Sequence, residues 1–216
     1  MSKKQIIMSL HAKRLTALKH VIYSLSDIPD QEWEYFSRQI GECGYNPNDL
    51  LVRAGEPMMN FFFIISGLVR FYYSTENGKE FNKAFALENN FVGSFGADVA
   101  QEPCRFSIQA LEQTEALVIP VQVIREGYDQ HHCWERVGRK MAERVAVSKE
   151  LREGEFLLDS AETRYRRFLA TYPGLAERIN QYHIASYLGI TDVALSRIRK
   201  NIGMTDIYKI NQSELT

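Results

Sequence analysis

The sequence predicts an α+β protein with an N-terminal β-roll of the jelly-roll type, a long helix after it and a C-terminal helix-turn-helix domain. Three changes in periodicity predict this order. Residues 10–42 have helical spacing, residues 44–120 are short aromatic and β-branched runs separated by turn signals, and residues 121–158 contain no proline and return to helical spacing. We therefore place the domain limits at 1–120, 121–158 and 159–216.

The strand-rich segment carries the turn signals NPND, GEP, SG, ENG and ENN. Several short strands within about 75 residues predict a small barrel or roll. The pair Asn77-Gly78 lies between FYYST and KEFNKAF and predicts a hairpin, because Asn-Gly readily adopts the positive φ angles of a tight turn. Two helices are expected before the roll, the second capped by Asp30.

The segment from 121 to 158 predicts one long connecting helix. An apolar stripe on such a helix can pack against its own domain or against a second copy of the chain. Gly138, Ser148 and Arg152 interrupt a strict heptad pattern. We nevertheless expect a dimer seam, because helix-turn-helix proteins usually work in pairs. The stripe consists of Trp134, Val137, Met141, Val145 and Val147.

Charge is unevenly distributed along the chain, although the formal net charge is only -1. Residues 21–159 contain 13 basic and 22 acidic side chains, whereas residues 160–200 contain seven basic and three acidic ones. A polyanion would be attracted to the second segment. Residues 1–20 carry five basic and no acidic side chains, which is typical of a solvated helix face and also compatible with a phosphate-touching arm.

Composition and motifs exclude several classes of protein. No apolar run approaches the ~20 residues of a membrane span, and the first residues lack the apolar centre of a secretory signal, so we expect a cytoplasmic protein without membrane contact. We expect no enzyme, cofactor or metal site, because no phosphate-binding glycine loop, nucleophile elbow or H-E-x-x-H occurs. Three cysteines without a C-x-x-C pair also argue against a metal centre. Adjacent His131, His132 and Cys133 cannot converge on one ion if they lie on a helix.

Residues 181–200 carry the features of a helix-turn-helix. Ala185 is small where two helices cross, Gly189 can adopt the positive φ of a sharp turn, and Thr191 can cap the second helix. A preceding helix between Ser160 and Pro173 would pack behind the pair. The predicted DNA-binding residues are Thr191, Asp192, Val193, Ser196, Arg197 and Lys200.

Four further segments resemble strand and turn motifs of a cyclic-nucleotide-binding-type domain. Together with the C-terminal motif, they make nearly the whole chain similar to the Crp/Fnr family of bacterial transcription regulators. The resemblance implies a homodimer on double-stranded DNA at a near-palindromic promoter site, a sensor function for the roll, and Arg197 at a base-contacting position. RNA polymerase is a further partner that the resemblance allows. The segments are Leu51–Pro57, Phe63–Arg70, Asn90–Gly93 and Ile108–Leu111.

The residues that hold cyclic AMP in this family are missing here. An ungapped reading puts Ser94 in place of the ribose-binding glutamate, Cys104 in place of the phosphate-binding arginine, and Arg105 where serine or threonine belongs. A one-residue slip would point Arg105 to the opposite face of the strand. We therefore expect either an empty roll or a small apolar or aromatic effector. The candidate pocket residues are Phe91, Gly93, Ser94, Cys104 and Arg105.

Two other expectations follow from comparison with the family. Its oxygen sensors hold an iron-sulfur cluster with several N-terminal cysteines, and we expect no such cluster here because this chain has only Cys43 before residue 100. Residues 201–216 leave room for at most one short strand, so a full C-terminal wing is not expected. Two alternatives stay open. One is an enzyme or enzyme subunit that the sensor fold regulates, although no catalytic constellation is found, and the other is a protein-interaction module that has the sensor-type roll but no DNA target.

Overall fold

The computed structural model describes residues 3–203, with side chains from residue 10 onwards. Helices and strands occur in the predicted order of helices, roll, connecting helix and helical C-terminal domain. The helices are α1 Lys3–Tyr23, α2 Asp30–Ser37, α3 Phe95–Ala100, α4 Val121–Gln130, α5 His132–Leu158, α6 Ala161–Thr171, α7 Leu175–Arg178, α8 Gln181–Leu188 and α9 Asp192–Asn201. The strands are β1 Gly41–Tyr45, β2 Leu50–Val52, β3 Asn60–Ser66, β4 Val69–Ser74, β5 Glu80–Ala86, β6 Phe91–Val92, β7 Ser107–Ala110 and β8 Thr114–Pro120.

The strands form two four-stranded antiparallel sheets that share one core. Their orders are β1-β8-β3-β6 and β2-β7-β4-β5. Phe63 and Leu117 of the first sheet and Ile108 of the second are fully buried in the same apolar cluster. Because alternate strand residues point inward, the two sheets bury their inner faces against each other. The predicted α+β class and β-roll are thereby confirmed.

The hairpin between β4 and β5 is also confirmed, with one difference at its turn. The Gly78 N–H donates to the Thr75 carbonyl oxygen at 2.9 Å, and Ser74 pairs with Glu80. Only Gly78 has a positive φ, of 80°, whereas Asn77 does not. The predicted cap of α2 is likewise displaced by one residue, because Pro29 occupies the N-cap position and Asp30 is the first helical residue.

The single helix predicted from 121 to 158 is wrong, because the chain breaks at His131. This residue is extended, with φ −152° and ψ 131°, and its Nδ1 accepts the Cys133 N–H at 3.1 Å. The side chain therefore caps α5 rather than lying inside a helix. The shorter α4 buries Val121 and Val123 in the roll core, so the connecting helix is α5 alone.

The C-terminal helices have their own apolar core, which reaches into the roll. Tyr165, Phe168 and Leu195 are buried there together with Leu68 and Phe85 from the roll. The two parts of the chain therefore share buried surface, and α8 lies against β5. The expectation that no full wing follows α9 concerns residues from 204 onwards, which lie outside the described part of the chain.

Candidate nucleic-acid interface and sensor cavity

Helices α8 and α9 are joined by the tight turn that the sequence predicts. Gly189 ends α8 with φ 69°, and the Ile190 N–H donates to the Ala185 carbonyl oxygen at 3.0 Å. A side chain at position 189 would be strained by this backbone conformation, and a Cβ would lie 2.8 Å from Cε1 of Phe156. Glycine is therefore required at the turn both by its φ and by the approach of α5.

Helix α9 begins at the predicted cap and presents the predicted face. The Thr191 hydroxyl oxygen accepts the Ala194 N–H at 3.2 Å. Leu195 is fully buried on the opposite side, and Val193 is 62% exposed although it is apolar. All the predicted DNA-binding residues lie on one exposed surface, which we call the α9 face: Thr191, Asp192, Val193, Ser196, Arg197 and Lys200.

Most of the arginines in the basic segment are engaged elsewhere. Arg166 pairs with Glu162 at 2.8 Å on its own helix, and Arg167 lies 3.1 Å from Asp159. Arg178 pairs with Glu88 and Glu112 of the roll. Arg197 and Lys200 make no ion pair within the described residues. The exposed positive charge of this segment that has no ion pair is therefore concentrated on the α9 face, whereas Arg164 is half-buried and donates to the Asp159 carbonyl oxygen.

Helix α8 is fixed against the roll by buried polar contacts. The Asn82 side-chain amide donates to the His183 carbonyl oxygen at 3.0 Å and lies 3.1 Å from Nδ1 of the same residue. The Asn82 N–H donates to the Ser186 hydroxyl at 2.9 Å. Burial, and then the nearby Arg70, lower the pKa of His183 to about 4. His183 is therefore neutral at pH 7 and can accept the Asn82 hydrogen bond at Nδ1.

A cavity of about 530 Å³ lies between the roll, α3 and α5, and we call it the roll cavity. Its walls carry aromatic side chains from three strands, from α3 and from the residue before β7, and α5 closes one side with residues 144–152. Gly93 allows this packing, because a Cβ there would lie 2.3 Å from Cδ1 of Phe61. The aromatic residues are Phe61, Phe71, Tyr73, Phe91, Phe95 and Phe106.

Positive charge predominates among the described residues that line the roll cavity. Glu102 is the acidic residue among them, and it is exposed and 3.4 Å from Arg105. Lys83 lies over the Phe106 ring, with Nζ 4.3 Å from the ring centre. The basic side chains are Lys83, Arg105, Arg144, Lys149 and Arg152.

Known proteins match both parts of this architecture. A cyclic nucleotide-binding domain profile matches residues 42–131. The transcriptional activator protein Anr of Pseudomonas aeruginosa is 30% identical over 163 residues, which cover 69% of this chain and 65% of Anr. This chain thus spans just under two thirds of the length of that relative. The fumarate and nitrate reduction regulatory protein of Vibrio cholerae is 25% identical over 181 residues, covering 77% of this chain and 70% of that protein.

Solved structures share the fold at low sequence identity. FixK2 from Bradyrhizobium japonicum matches with a TM-score of 0.67 at 18% identity, and the match covers 78% of this chain and 86% of the FixK2 chain. A Crp/Fnr-family structure from Eubacterium rectale also has a TM-score of 0.67, at 13% identity, with coverages of 82% and 84%. The chain is thus similar in sequence to two regulatory proteins and in fold to a Crp/Fnr-family structure. The resemblance expected from the strand motifs and the helix-turn-helix is therefore confirmed.

The positions that hold cyclic AMP in the Crp/Fnr family have other surroundings in this chain. The Ser94 hydroxyl accepts the Ala97 N–H at 3.3 Å and caps α3. Cys104 is buried with Sγ 3.8 Å from Sδ of Met58, outside the set of cavity-lining residues. Phe91, Gly93 and Arg105 do line the roll cavity, as does Ser94. Four of the five candidate pocket residues thus meet at one cavity, and Cys104 does not.

The sequence did not indicate the lysine and arginine residues at the far side of the cavity. Lys83 lies where β5 bulges, because Phe71 pairs with Ala84 and the next residue, Tyr72, pairs with Asn82. A bulge redirects a side chain, and its position depends on the pairing between strands rather than on residue type. Arg152, noted before as an interruption of the helix stripe, reaches both the cavity and Tyr187 of α8.

Helix α5 uses its two halves differently. Trp134 and Val137 are buried in the roll core, so the first half of the predicted stripe packs within its own domain. In the second half, Val147 is 56% and Leu151 60% exposed, and a Cβ on Gly154 would meet nothing within 4 Å. Leu158 continues this open row and was not part of the predicted stripe.

No group of three His, Cys, Asp or Glu side chains within residues 10–203 is arranged to hold a metal ion. Cys43 is exposed on β1, whereas Cys133 is buried beside the His131 cap. The His131 and His132 rings stack 4.3 Å apart. None of the helices described between residues 3 and 203 combines the length and apolar character that crossing a membrane requires.

Proposed function

We propose that this chain is a DNA-binding transcription regulator that acts as a homodimer on a near-palindromic promoter site in the cytoplasm. The observation that carries the proposal is the α9 face, an exposed helix surface on which Arg197 and Lys200 have no ion-pair partner among the described residues. A helix of this kind fits the major groove of B-DNA, and phosphates attract its cations.

The α9 face suggests a role for each of its residues. Arg197 can donate two hydrogen bonds to guanine, and Val193 can meet a thymine methyl group. Asp192 can accept from a cytosine amino group and also stabilises the positive N-terminus of α9. Ser196 and Lys200 are assigned to phosphates. Thr191 belongs with them, because its hydroxyl accepts the helix-capping bond and can still donate its proton.

The open row on α5 supports the dimer. Val147, Leu151, Gly154 and Leu158 follow one another at intervals of four, three and four residues, which is the spacing of a two-helix seam. Such a seam would bury the exposed apolar side chains of two copies. The two α9 helices would then lie about 34 Å apart, one turn of the duplex. RNA polymerase stays a partner that the family resemblance allows.

The sensor role of the roll is part of the proposal, and cyclic AMP is not its ligand. Ser94 caps α3, and Cys104 lies away from the cavity, so neither position supplies a charge for ribose hydroxyls or for phosphate. The charge-assisted contact that an arginine would make to phosphate is therefore absent from its family position, and the cations of the cavity lie at other positions. The cavity is either empty or filled by a small molecule other than a cyclic nucleotide.

Selection from random-sequence duplex DNA tests the proposed function. The purified chain should enrich an inverted repeat with half-site centres one helical turn apart, in about 0.1 M salt. A chain that enriches no sequence and shifts no DNA at low salt would contradict the proposal. That result would favour the protein-interaction module instead.

A further inference from the structure

The roll cavity combines aromatic walls with more positive than negative charge among the side chains that line it. Of the described residues lining it, Glu102 carries negative charge, but this side chain is exposed and paired with Arg105. Lys83 on β5 and Arg152 on α5 are partly buried, and Lys149 on α5 lines the same cavity from an exposed position. Each of these three lacks an ion pair within the described residues. Charged side chains without partners are rare in partly buried sites and are often functional.

Lys83 is directed to this place by the backbone. The β5 bulge leaves it without a partner in the β4 register, and its ammonium group lies over the Phe106 and Phe71 rings at 4.3 and 5.8 Å. Burial, with Lys149 and Arg152 nearby, lowers the pKa of Lys83 to about 8. The ammonium form thus predominates at pH 7 at a cost in folding free energy. A bound anion would offset that cost.

From this arrangement we infer that the roll cavity binds an aromatic carboxylate, with its carboxylate between Lys83, Lys149 and Arg152 and its ring among the phenylalanines. A volume of about 530 Å³ fits a small organic molecule. The inference deepens the proposed function, on which it rests, by naming the chemical class of the effector.

Arg152 connects this site with the helix-turn-helix. Its guanidinium group stacks on the Tyr187 ring at 3.7 Å, and Nη2 donates to the Tyr187 carbonyl oxygen at 2.6 Å. It also lines a second cavity, between α5 and the C-terminal helices, that shares Lys83 and Arg144 with the roll cavity. Guanidinium has five N–H donors, so a carboxylate can bind Arg152 while the Tyr187 contact persists. Occupancy would hold α8 more firmly against α5.

Calorimetry with 1-naphthoate tests the site, and 1-naphthamide is a neutral probe of nearly the same shape. The wild-type chain should bind naphthoate at least tenfold more tightly than naphthamide. Lys83→Met should weaken naphthoate binding about tenfold and leave naphthamide binding unchanged. Lys79→Met is the matched control, because Lys79 directly precedes the same strand, lies over Phe81 at 4.8 Å and does not line the cavity.

Equal affinity for the two probes, no binding of either, or equal losses in the Lys83 and Lys79 variants would overturn the inference. Micromolar binding of cyclic AMP that survives Lys83→Met would also overturn it, because a different group would then hold the anion.

Anisotropy of a labelled operator, with and without naphthoate, tests the connection between the cavity and the helix-turn-helix. Naphthoate should change the DNA affinity of the wild-type chain but not that of Arg152→Met, when each is measured at a naphthoate concentration that saturates the variant. An equal change in both chains would show that Arg152 does not connect the cavity with the helix-turn-helix. Calorimetry needs no DNA, so failure of the site and failure of the proposed function are distinguishable.

Discussion

The roll with its connecting helix and the C-terminal domain use positive charge in opposite ways. The C-terminal segment is basic overall, yet Arg166, Arg167 and Arg178 are neutralised by nearby carboxylates and the remaining exposed charge lies on α9. Residues 21–159 are acidic overall, yet they gather several cations around one cavity. The net charge of each segment thus indicates where a polyanion binds, but it does not indicate a site for a small anion. Which charges are available depends on their partners.

Loss of the dimer should have the largest effect on DNA binding, because the two copies of the C-terminal domain can then no longer act together. Leu151→Asp places a charge in the open row of α5 and should turn a dimer into a 25.0 kDa monomer. Affinity for a two-half-site operator should fall more than about 100-fold, because one half-site contact is lost. Light scattering and gel shifts measure both effects.

Val99→Asp is the control for that change, because Val99 is 80% exposed on α3 and away from the row. It should leave mass and affinity unchanged. If Leu151→Asp stays dimeric, the dimer forms through another surface.

An unpaired arginine and a paired arginine of the same domain should differ in their effect on DNA binding. Arg197→Ala should weaken binding to the selected site by about ten- to a hundred-fold and barely affect random DNA, because a bidentate contact to guanine is worth about 1–3 kcal/mol. Arg166→Ala, on a side chain that is 60% exposed but paired with Glu162, should change neither by more than about twofold. Equal losses on specific and random DNA for Arg197→Ala would show that α9 does not read the bases.

Lys200 is the second unpaired cation of the α9 face, and its substitution distinguishes contacts to phosphates from contacts to bases. Lys200→Ala should weaken binding to all sequences alike, by a few-fold at about 0.1 M salt. The slope of log affinity against log salt should become shallower by about one. A change in sequence preference instead of slope would move Lys200 from phosphate to base contact.

Much of the fold could be predicted from sequence because local patterns set it. The Gly189 turn, the Thr191 cap and the β4–β5 hairpin each follow from residues adjacent in the chain. The break at His131 could not, because histidine is not among the preferred N-cap residues and because α4 is held by packing into the roll. The cations that line the cavity could not be predicted either, because their positions also depend on packing between distant segments. Lys83 is placed by pairing across strands, and it meets Lys149 and Arg152 only after α5 closes over the roll.

The smallest expected effect concerns the stability cost of the buried charge in the roll. The pKa of Lys83 is about 8 in the folded chain, below its ordinary value of 10.5, because of burial and then Lys149 and Arg152. Below pH 8 both folded and unfolded chains carry the proton, so the folded chain bears the full cost. Between pH 8 and 10.5 the folded chain releases its proton first, and this cost disappears as pH rises.

Lys83→Met should therefore raise the free energy of unfolding by about 1–2 kcal/mol at pH 7, relative to its effect above pH 10.5. Comparing the two pH values separates the charge from the added apolar packing of methionine, which is the same at both. Urea denaturation of the wild-type, Lys83→Met and Lys79→Met chains measures the difference, and Lys79→Met should show no such dependence on pH. A Lys83 variant that is less stable at pH 7 than at high pH, relative to wild type, would mean that an unseen partner balances this charge. The acidic residues 21–159 would then no longer contain a site of unbalanced positive charge, and their contrast with the basic C-terminal segment and its paired arginines would not hold.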